Sequence, residues 1–213
     1  MLPPGSEIIV ATRNAGKVKE LASMFLDKGI VVKSLLDFDD MPDIVEDGAT
    51  FTDNALIKAR TIARLLSLPV IADDSGLCVD TLNGEPGVFS ARYAGEHATD
   101  EQNNRKLLDE LKKSGNLLKQ TPETASEPIY LSAARFKCAI CLVDSDGNPL
   151  VQVEAGCEGV IIAEARGANG FGYDPLFYIP ELERTMAELD LEQKNRLSHR
   201  GAAIRLLWKA VEA

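Results

Sequence analysis

Two adjacent carboxylates, Asp73 and Asp74, are the residues of this chain best suited to do chemistry. They follow residues 69–72, which are predicted to form a buried strand, and open α/β sheets place ligands at the carboxyl ends of such strands. Neighbouring carboxylates in that position must be paired, protonated or bound to a metal. A hard divalent cation fits, with Glu46 from an acidic loop as a candidate companion. The alternative is that one Asp caps a turn and the other faces solvent.

The loop at residues 12–17 is the second candidate, and it lies between a predicted strand and a predicted helix. Backbone N–H groups at a helix start bind anions, and Lys17 adds a full positive charge. The loop differs from a Walker P-loop because Ala11 replaces the first Gly and Val18 replaces the magnesium-binding Ser or Thr. Phosphate binding and ordinary turn formation both remain open for this loop taken alone.

Two further groups are suited to recognising a flat ring. Residues 167–174 surround Phe171 with glycines, which lets the ring of a ligand approach the backbone closely. Lys194, His199 and Arg200 place hydrogen-bond donors near a predicted helix start. Each group alone is equally typical of structure without function, namely a core aromatic in a tight turn and a polar helix surface.

The order of predicted elements indicates an α/β protein with a mixed sheet. Strand–helix units in the first half are followed by two strands joined by a turn at residues 145–148, with a third strand at 160–163. This pattern predicts a single domain, residues 1–213, with two lobes and a cleft. The polar stretch at residues 112–128 is the best candidate for a linker or an insertion.

One predicted helix bears on the site because it follows the acidic loop. Thr50 and Asp53 form a capping-box pattern at its start. The helix is then expected to bury one apolar face, which contains Leu56, Ala59, Ala63 and Leu66.

Charge and cysteine content exclude several classes of protein. The formal net charge of -10 argues against a nucleic-acid partner, since the phosphate backbone would be repelled. No apolar run is long enough to span a bilayer and the N-terminus lacks a signal-peptide pattern, so we expect a cytoplasmic protein. Cys138 and Cys141 form a C-x-x-C pattern, but side chains three apart on a strand point to opposite faces. We therefore expect core cysteines and no zinc or redox site.

Taken together, these segments resemble the inosine triphosphate pyrophosphatase family, the bacterial non-canonical purine NTP pyrophosphatases in particular. The similarity covers nearly the whole chain, with residues 112–128 as the region that does not match closely. Several motifs in the same order carry the resemblance: ATRNAGK at 11–17, IADDSGL at 71–77, PGVFSARYAG at 86–95, GFGYDP at 170–175 and SHRG at 198–201. One such motif could be chance, whereas this ordered combination is highly specific.

The resemblance implies an elongated mixed sheet flanked by helices, a central cleft and a homodimer. It implies hydrolysis of ITP, dITP and XTP to the monophosphate and pyrophosphate, which keeps these nucleotides out of DNA and RNA, with magnesium (Mg2+) as cofactor. Asp74 would accept a proton and bind the metal together with Glu46. Phosphate and sugar contacts are expected from Thr12, Arg13, Asn14, Ala15, Gly16, Lys17 and Ser75. Nucleobase contacts are expected from Phe171, Gly172, Tyr173, Asp174, Lys194, His199 and Arg200.

Two other functions are compatible with the motifs. One is a related pyrophosphatase that acts on modified pyrimidines, which only a panel of substrates would separate. The other is a nucleotide sensor that binds without hydrolysis. The carboxylates of Glu46, Asp73 and Asp74 argue against a sensor, because binding alone gains nothing from groups that a metal-activated water requires.

Overall fold

The computed structural model describes residues 5–115 and 128–212, and within these ranges it contains seven strands and five α-helices. The strands are β1 (Glu7–Val10), β2 (Val31–Ser34), β3 (Val70–Val79), β4 (Tyr130–Val143), β5 (Pro149–Ile162), β6 (Phe177–Ile179) and β7 (Arg184–Thr185). The helices are α1 (Ala15–Leu26), α2 (Phe51–Leu66), α3 (Asp100–Ser114), α4 (Leu191–Leu197) and α5 (His199–Glu212). No helix in the described ranges is long and apolar enough to cross a membrane. The polar stretch predicted at 112–128 falls mostly on residues 116–127, which lie outside the described residues.

The seven strands form one mixed sheet in the order β2-β1-β3-β4-β5-β6-β7. β1 is parallel to β2 and β3, whereas β6 is antiparallel to β5 and β7. The predicted α/β class with a mixed sheet flanked by helices is confirmed. The separate strand predicted at residues 160–163 is wrong, since residues 160–162 are the end of β5 and residue 163 follows it. β6 and β7 were not predicted because strands of three and two residues are too short to show a periodic pattern.

The chain divides into two compact units. Among the described residues, the first unit comprises 5–75, 138–155 and 199–212, and the second comprises 76–115, 128–137 and 156–198. Each unit has its own apolar core. The core of the first includes Leu21, Phe25, Ile71, Ile140 and Leu207. The core of the second includes Leu77, Leu107, Phe136, Ile161 and Phe177.

The two cysteines of the C-x-x-C pattern are fully buried in β4, and neither forms a disulfide. Burial raises the pKa of Cys138 to about 12 and the pKa of Cys141 to about 11. Neither thiol is therefore ionised at neutral pH, and the thiolate is the form that binds metals and reacts. The expectation of core cysteines is confirmed.

Helix α2 has the predicted capping box, but its buried face differs from the prediction. Leu56 and Leu66 are only half-buried, whereas Asn54 and Lys58 are buried. Because Asn54 and Lys58 are four residues apart, they lie on the same side of the helix. Polar side chains in that position need hydrogen-bond partners, and they find them in the site described below.

Gly159 in β5 lies against β6 with no room for a side chain. A Cβ atom at this position would be 2.6 Å from two ring carbons of Phe177 and 2.7 Å from the carbonyl oxygen of Tyr178. We predict that Gly159→Ala lowers the free energy of unfolding by about 1–3 kcal/mol, because β6 must shift to admit the methyl group. Urea denaturation followed by circular dichroism measures this loss.

Gly156→Ala in the same strand is the matched control. Its Cβ would meet only the carbonyl oxygen of Phe136, at 3.3 Å, so we expect a clearly smaller loss. Equal losses for the two variants would show that the ring of Phe177 moves aside and that the contact does not constrain β6.

Candidate active site

The loop between β1 and α1 is shaped by an N-cap. The side-chain oxygen of Asn14 accepts a hydrogen bond from Lys17 N at 3.0 Å, and Thr12 Oγ1 accepts one from Asn14 N at 3.2 Å. Ala15 and Gly16 then form the start of α1, where backbone N–H groups and the helix dipole favour an anion. The structure thus brings the predicted phosphate loop to a helix N-terminus.

Arg13 in this loop is bound to the acidic loop that precedes α2. Its Nη1 donates to Asp43 Oδ1 at 2.7 Å, and its Nη2 donates to the carbonyl oxygen of Met41. The side chain is about 41% exposed, so this ion pair is weak and the guanidinium remains accessible.

Asp73 is fully buried and accepts hydrogen bonds from two cationic side chains. Lys17 Nζ lies 3.0 Å from Asp73 Oδ2, and Arg200 approaches the same oxygen with Nε at 3.2 Å and Nη2 at 3.1 Å. Burial alone would raise the pKa of Asp73, but Lys17, Arg200 and Lys58 outweigh it and hold the pKa well below its ordinary value. The carboxylate is therefore ionised at neutral pH and fixes both cations.

Arg200 lies in the first turn of α5 and has partners beyond Asp73. Its Nη1 donates to Glu20 of α1, and its Nη2 donates to Ser75 Oγ at 2.8 Å. Burial opposes the charge, yet Asp73 and Glu20 raise the pKa of Arg200 above its ordinary value. Sequence reasoning missed this internal role. The expected contact of Arg200 with a nucleobase stays a prediction.

Asp74, the next residue of β3, has different neighbours because successive side chains of a strand point to opposite faces. Asn54 Nδ2 donates to Asp74 Oδ2 at 3.1 Å, and Lys58 Nζ lies 3.5 Å from Asp74 Oδ1. Burial raises the pKa of Asp74 above its ordinary value, although Lys58 and Lys17 oppose the rise. Asp74 therefore attracts a proton more strongly than an ordinary carboxylate does.

The prediction that the strand ends before the two carboxylates is wrong, since β3 continues to Val79. The neighbouring strand β1 ends at Val10, whose partner in β3 is Ile71. Asp73 and Asp74 therefore lie just beyond the carboxyl end of β1. β4 is the other neighbour of β3, and it keeps this segment in the sheet.

Glu46 and Asp74 converge on one cationic group. Lys58 Nζ lies 2.8 Å from Glu46 Oε2 and 3.5 Å from Asp74 Oδ1. Burial lowers the pKa of Lys58, but Asp74, Glu46 and Asp73 outweigh it, so the pKa is raised and the group is an ammonium ion. The two carboxylates thus already share a single cation.

The donor chemistry of Glu46 and Asp74 fits a divalent cation. Within the described ranges no group of three or more His, Cys, Asp or Glu side chains is arranged to hold a metal ion. Magnesium sites in nucleotide enzymes need only one or two protein carboxylates, since substrate phosphates and water supply the other oxygens. A bound divalent metal stabilises charge on phosphoryl oxygens, and this pair is where the described part of the chain could hold one.

The glycine-rich segment of the second unit is organised around Asp174. Its Oδ2 accepts hydrogen bonds from Phe171 N at 2.9 Å and from Lys194 Nζ at 2.5 Å. Lys194 Nζ also lies 4.6 Å from the centre of the Phe171 ring. Gly170 has φ +77°, and a Cβ there would be 2.0 Å from Asp174 Oδ2, so only glycine fits.

The two aromatic residues of this segment have different environments. Tyr173 is buried, and its hydroxyl donates to the carbonyl oxygen of Ser90 at 2.9 Å. Phe171 is only half-buried, so its ring can still stack on a ligand. Between them, Gly172 donates its N–H to Asp100 Oδ2 at 2.6 Å and accepts from Asn104 Nδ2 at 2.8 Å, and these bonds fix the turn.

Ser75 and His199 belong to the first unit. Ser75 Oγ lies 3.4 Å from Asp73 Oδ2 in addition to its bond with Arg200, so it extends the network around Asp73. His199 is the first residue of α5 and is buried.

Sequence reasoning missed Glu20, Asn54 and Lys58, which all contact site residues. Each is buried in a helix. A sequence signal for such residues does exist. They are polar residues that share, at helical spacing, the face formed by the buried apolar residues of the same helix, as in α2.

An α/β fold with a helix N-terminus, lysines and paired carboxylates in one unit defines a protein suited to phosphate chemistry. The chain belongs to the Ham1 family, whose sequence model matches residues 8–210. A dITP/XTP pyrophosphatase from Geobacillus kaustophilus is 51% identical over 208 residues, which is 96% of this chain and 95% of that protein. One from Geobacter sulfurreducens is 46% identical and covers 97% of this chain and 100% of that protein.

Solved structures agree with the sequence comparisons. A HAM1 protein from Coxiella burnetii superposes with a TM-score of 0.80 at 41% identity, covering 97% of this chain and 99% of that chain. The Ham1 protein of Staphylococcus aureus gives a TM-score of 0.76 at 40% identity, covering 97% and 98%. The resemblance inferred from the motifs is confirmed.

We predict that Arg200→Met lowers the free energy of unfolding by about 3–5 kcal/mol, because it leaves Asp73 and Glu20 as buried charges without their main partner. Urea denaturation measures the loss. Arg205→Met is the matched control on the same helix, and we expect a change within about 0.5 kcal/mol because Arg205 is exposed. A loss for Arg200→Met no larger than the control would mean that the buried network contributes nothing to stability.

Proposed function

We propose that the protein hydrolyses non-canonical purine nucleoside triphosphates, namely dITP, ITP and XTP, to the nucleoside monophosphate and pyrophosphate. The observation that carries this proposal is the opposite character of two neighbouring carboxylates. Asp73 is held ionised by two cations, whereas Asp74 has a raised pKa and lies beside Glu46 and Lys58. The names of the similar bacterial proteins support the choice of substrates.

The triphosphate is bound by the loop that precedes α1. The N–H groups of the first turn of this helix, together with Lys17, stabilise negative charge on phosphate oxygens. Asp73 holds the Lys17 ammonium in place through the 3.0 Å contact. Preorganised donors of this kind are most effective where charge develops, which in this reaction is on the leaving pyrophosphate.

Asp74 orients the attacking water and accepts its proton. Water attacks the α-phosphorus, the bond from this phosphorus to the bridging oxygen breaks, and pyrophosphate leaves. A raised pKa brings a carboxylate closer to the operating pH and makes it a better base. Glu46 and Asp74 would hold magnesium, which when bound neutralises charge on the phosphates.

The nucleobase is recognised in the second unit by Phe171 and by a hydrogen-bond donor beside it. Phe171 stacks on the ring, and the Lys194 ammonium, 4.6 Å from the centre of the Phe171 ring, is the donor. Hypoxanthine and xanthine present a carbonyl oxygen at position six, whereas adenine presents an amino donor there. A donor that meets another donor is left unpaired, which costs about 1–3 kcal/mol and disfavours adenine. Guanine shares the six-oxo group, so its two-amino group must be rejected elsewhere.

We also propose a cytoplasmic homodimer without a nucleic-acid partner. The net charge of -10 supports the absence of nucleic-acid binding, because it repels a phosphate backbone. The dimer rests on the family resemblance alone.

The products of the reaction test the proposed function. Incubation of the wild-type protein with ITP and magnesium should release pyrophosphate and IMP, detected by chromatography and by phosphate release that depends on added inorganic pyrophosphatase. Nucleoside diphosphate and free phosphate as primary products would exclude attack at the α-phosphorus. XTP, ATP, GTP and modified pyrimidine triphosphates in the same assay separate the proposed substrates from those of a related pyrophosphatase.

Asp74→Asn tests the proposed base. We expect a folded protein whose kcat is lowered by about a hundredfold or more, since a positioned base contributes about 10²–10⁴ in rate. Asp80→Asn is the control, because Asp80 lies just after the same strand and forms an exposed pair with Arg135. Wild-type rates for Asp74→Asn at saturating magnesium would reassign Asp74 to a structural role.

A further inference from the structure

A buried asparagine in α2 contacts both the catalytic carboxylate and the loop that carries Glu46. Asn54 is fully buried, its Nδ2 donates to Asp74 Oδ2 at 3.1 Å, and its Oδ1 accepts from Gly48 N at 2.8 Å. One planar amide thus joins two parts of the candidate site. Because a side-chain amide N–H can only donate a hydrogen bond, this bond favours the ionised form of Asp74, whose oxygens can only accept.

The loop is packed tightly against this amide. A Cβ at Gly48 would lie 2.7 Å from Asn54 Oδ1 and 2.6 Å from Asp53 Cβ, so the backbone itself is in contact with α2. Glu46 is two residues earlier in the chain. The amide therefore restricts where the Glu46 carboxylate can lie relative to Asp74.

Helix α3 contains a matched asparagine whose second partner is different. Asn54 and Asn103 each lie four residues after a threonine N-cap with a capping box. Both are buried, and Asn103 Oδ1 also accepts from the preceding loop, from Ala94 N at 2.8 Å. The Nδ2 of Asn103, however, donates to the carbonyl oxygen of Ala91 at 3.1 Å. In the described part of the chain, the same local arrangement therefore occurs in α2 and α3, and the one in α2 reaches the carboxylate proposed as the base.

We propose that Asn54 is a positioning residue: its amide holds Asp74 Oδ2, so that Oδ1 accepts from Ser75 N at 3.0 Å and faces the Lys58 ammonium shared with Glu46. The proposal rests on the function proposed for Asp74. Asn54 acts on the reaction through Asp74, in addition to fastening the loop as Asn103 does. Loss of the amide should therefore affect catalysis more than loss of its counterpart in α3.

A double-mutant cycle tests whether Asn54 acts through Asp74. We expect Asn54→Ala to lower kcat for ITP by about ten- to a hundredfold, the range for a hydrogen bond to a charged group, with a smaller change in KM. In the Asp74→Asn background the same substitution should cost less than about twofold, since the group it positions is already lost. Equal losses in both backgrounds would overturn the proposal.

Asn103→Ala is the matched control for loosening of a loop. We expect a comparable loss of stability in thermal denaturation and a kcat per folded molecule within about threefold of the wild type. If Asn103→Ala lowered kcat as much as Asn54→Ala, a general loss of rigidity would explain both, and no positioning role would remain.

Binding without turnover gives an independent readout. Calorimetry with the α,β-methylene analogue of ITP measures affinity in magnesium and in EDTA, and the ratio reports how well the carboxylates hold the metal. We expect this ratio to fall by about tenfold in Asn54→Ala and to be unchanged in Asn103→Ala. An unchanged ratio in Asn54→Ala would overturn the proposal.

Asn54→Asp is the alternative variant for these measurements if Asn54→Ala does not fold. It keeps the shape and the acceptor for Gly48 N but replaces the donor to Asp74 by an acceptor, so kcat should still fall by at least about tenfold. Wild-type kcat in this variant would contradict the role assigned to the donor. Failure of the proposed function would instead appear in the wild type, as the absence of pyrophosphate release.

Discussion

The ionised carboxylate of Asp73 is sealed from solvent, and its charge must be balanced within the first unit. A buried charge without partners is strongly destabilising, so the folded state requires Lys17 and Arg200 beside the Asp73 carboxylate. Lys17 belongs to the first turn of α1, and Arg200 belongs to the first turn of α5. The starts of two helices far apart in the sequence are thereby fixed on one oxygen atom. Arg200 also balances the charge of Glu20, which lies in α1, so α1 is tied to this network through Glu20 as well as through Lys17.

Paired carboxylates can do different chemistry when their environments push their pKa values apart. Here the alternation of side chains along β3 is sufficient to do this. Asp73 faces Lys17 and Arg200 and stays ionised, whereas Asp74 faces α2, where burial outweighs the effect of Lys58 and raises the pKa of Asp74. The first carboxylate therefore organises charge in the site, and the second suits the proton-accepting role proposed for it.

The parts of this structure that follow from local sequence could be predicted, and the parts that depend on distant contacts could not. The capping box at Thr50, the N-terminus of α1 and the mixed sheet all have local or periodic signals. The extent of β3 does not, because its continuation depends on pairing with β4, more than 50 residues later in the chain. The sequence also pointed to Glu46 and Asp74 as candidates, but it did not single out Asn54 and Lys58, which lie beside Asp74 in the structure. The spacing of apolar residues predicts which face of a helix is buried. It does not show that polar residues on that face form hydrogen bonds with carboxylates of another strand or loop.

The alternation of Asp73 and Asp74 along β3 also limits how this segment can evolve. Inserting or deleting one residue before the two carboxylates would move every side chain of the strand to the opposite face. Asp74 would then face Lys17 and Arg200, which would lower its pKa, while Asp73 would lose both partners. Substitution of a single residue leaves the alternation of side chains along β3 unchanged, whereas an insertion or a deletion in the strand reverses it. The strand therefore tolerates substitutions that keep the two aspartates, but it does not tolerate an insertion or a deletion before them, even where the altered backbone still pairs with its neighbours.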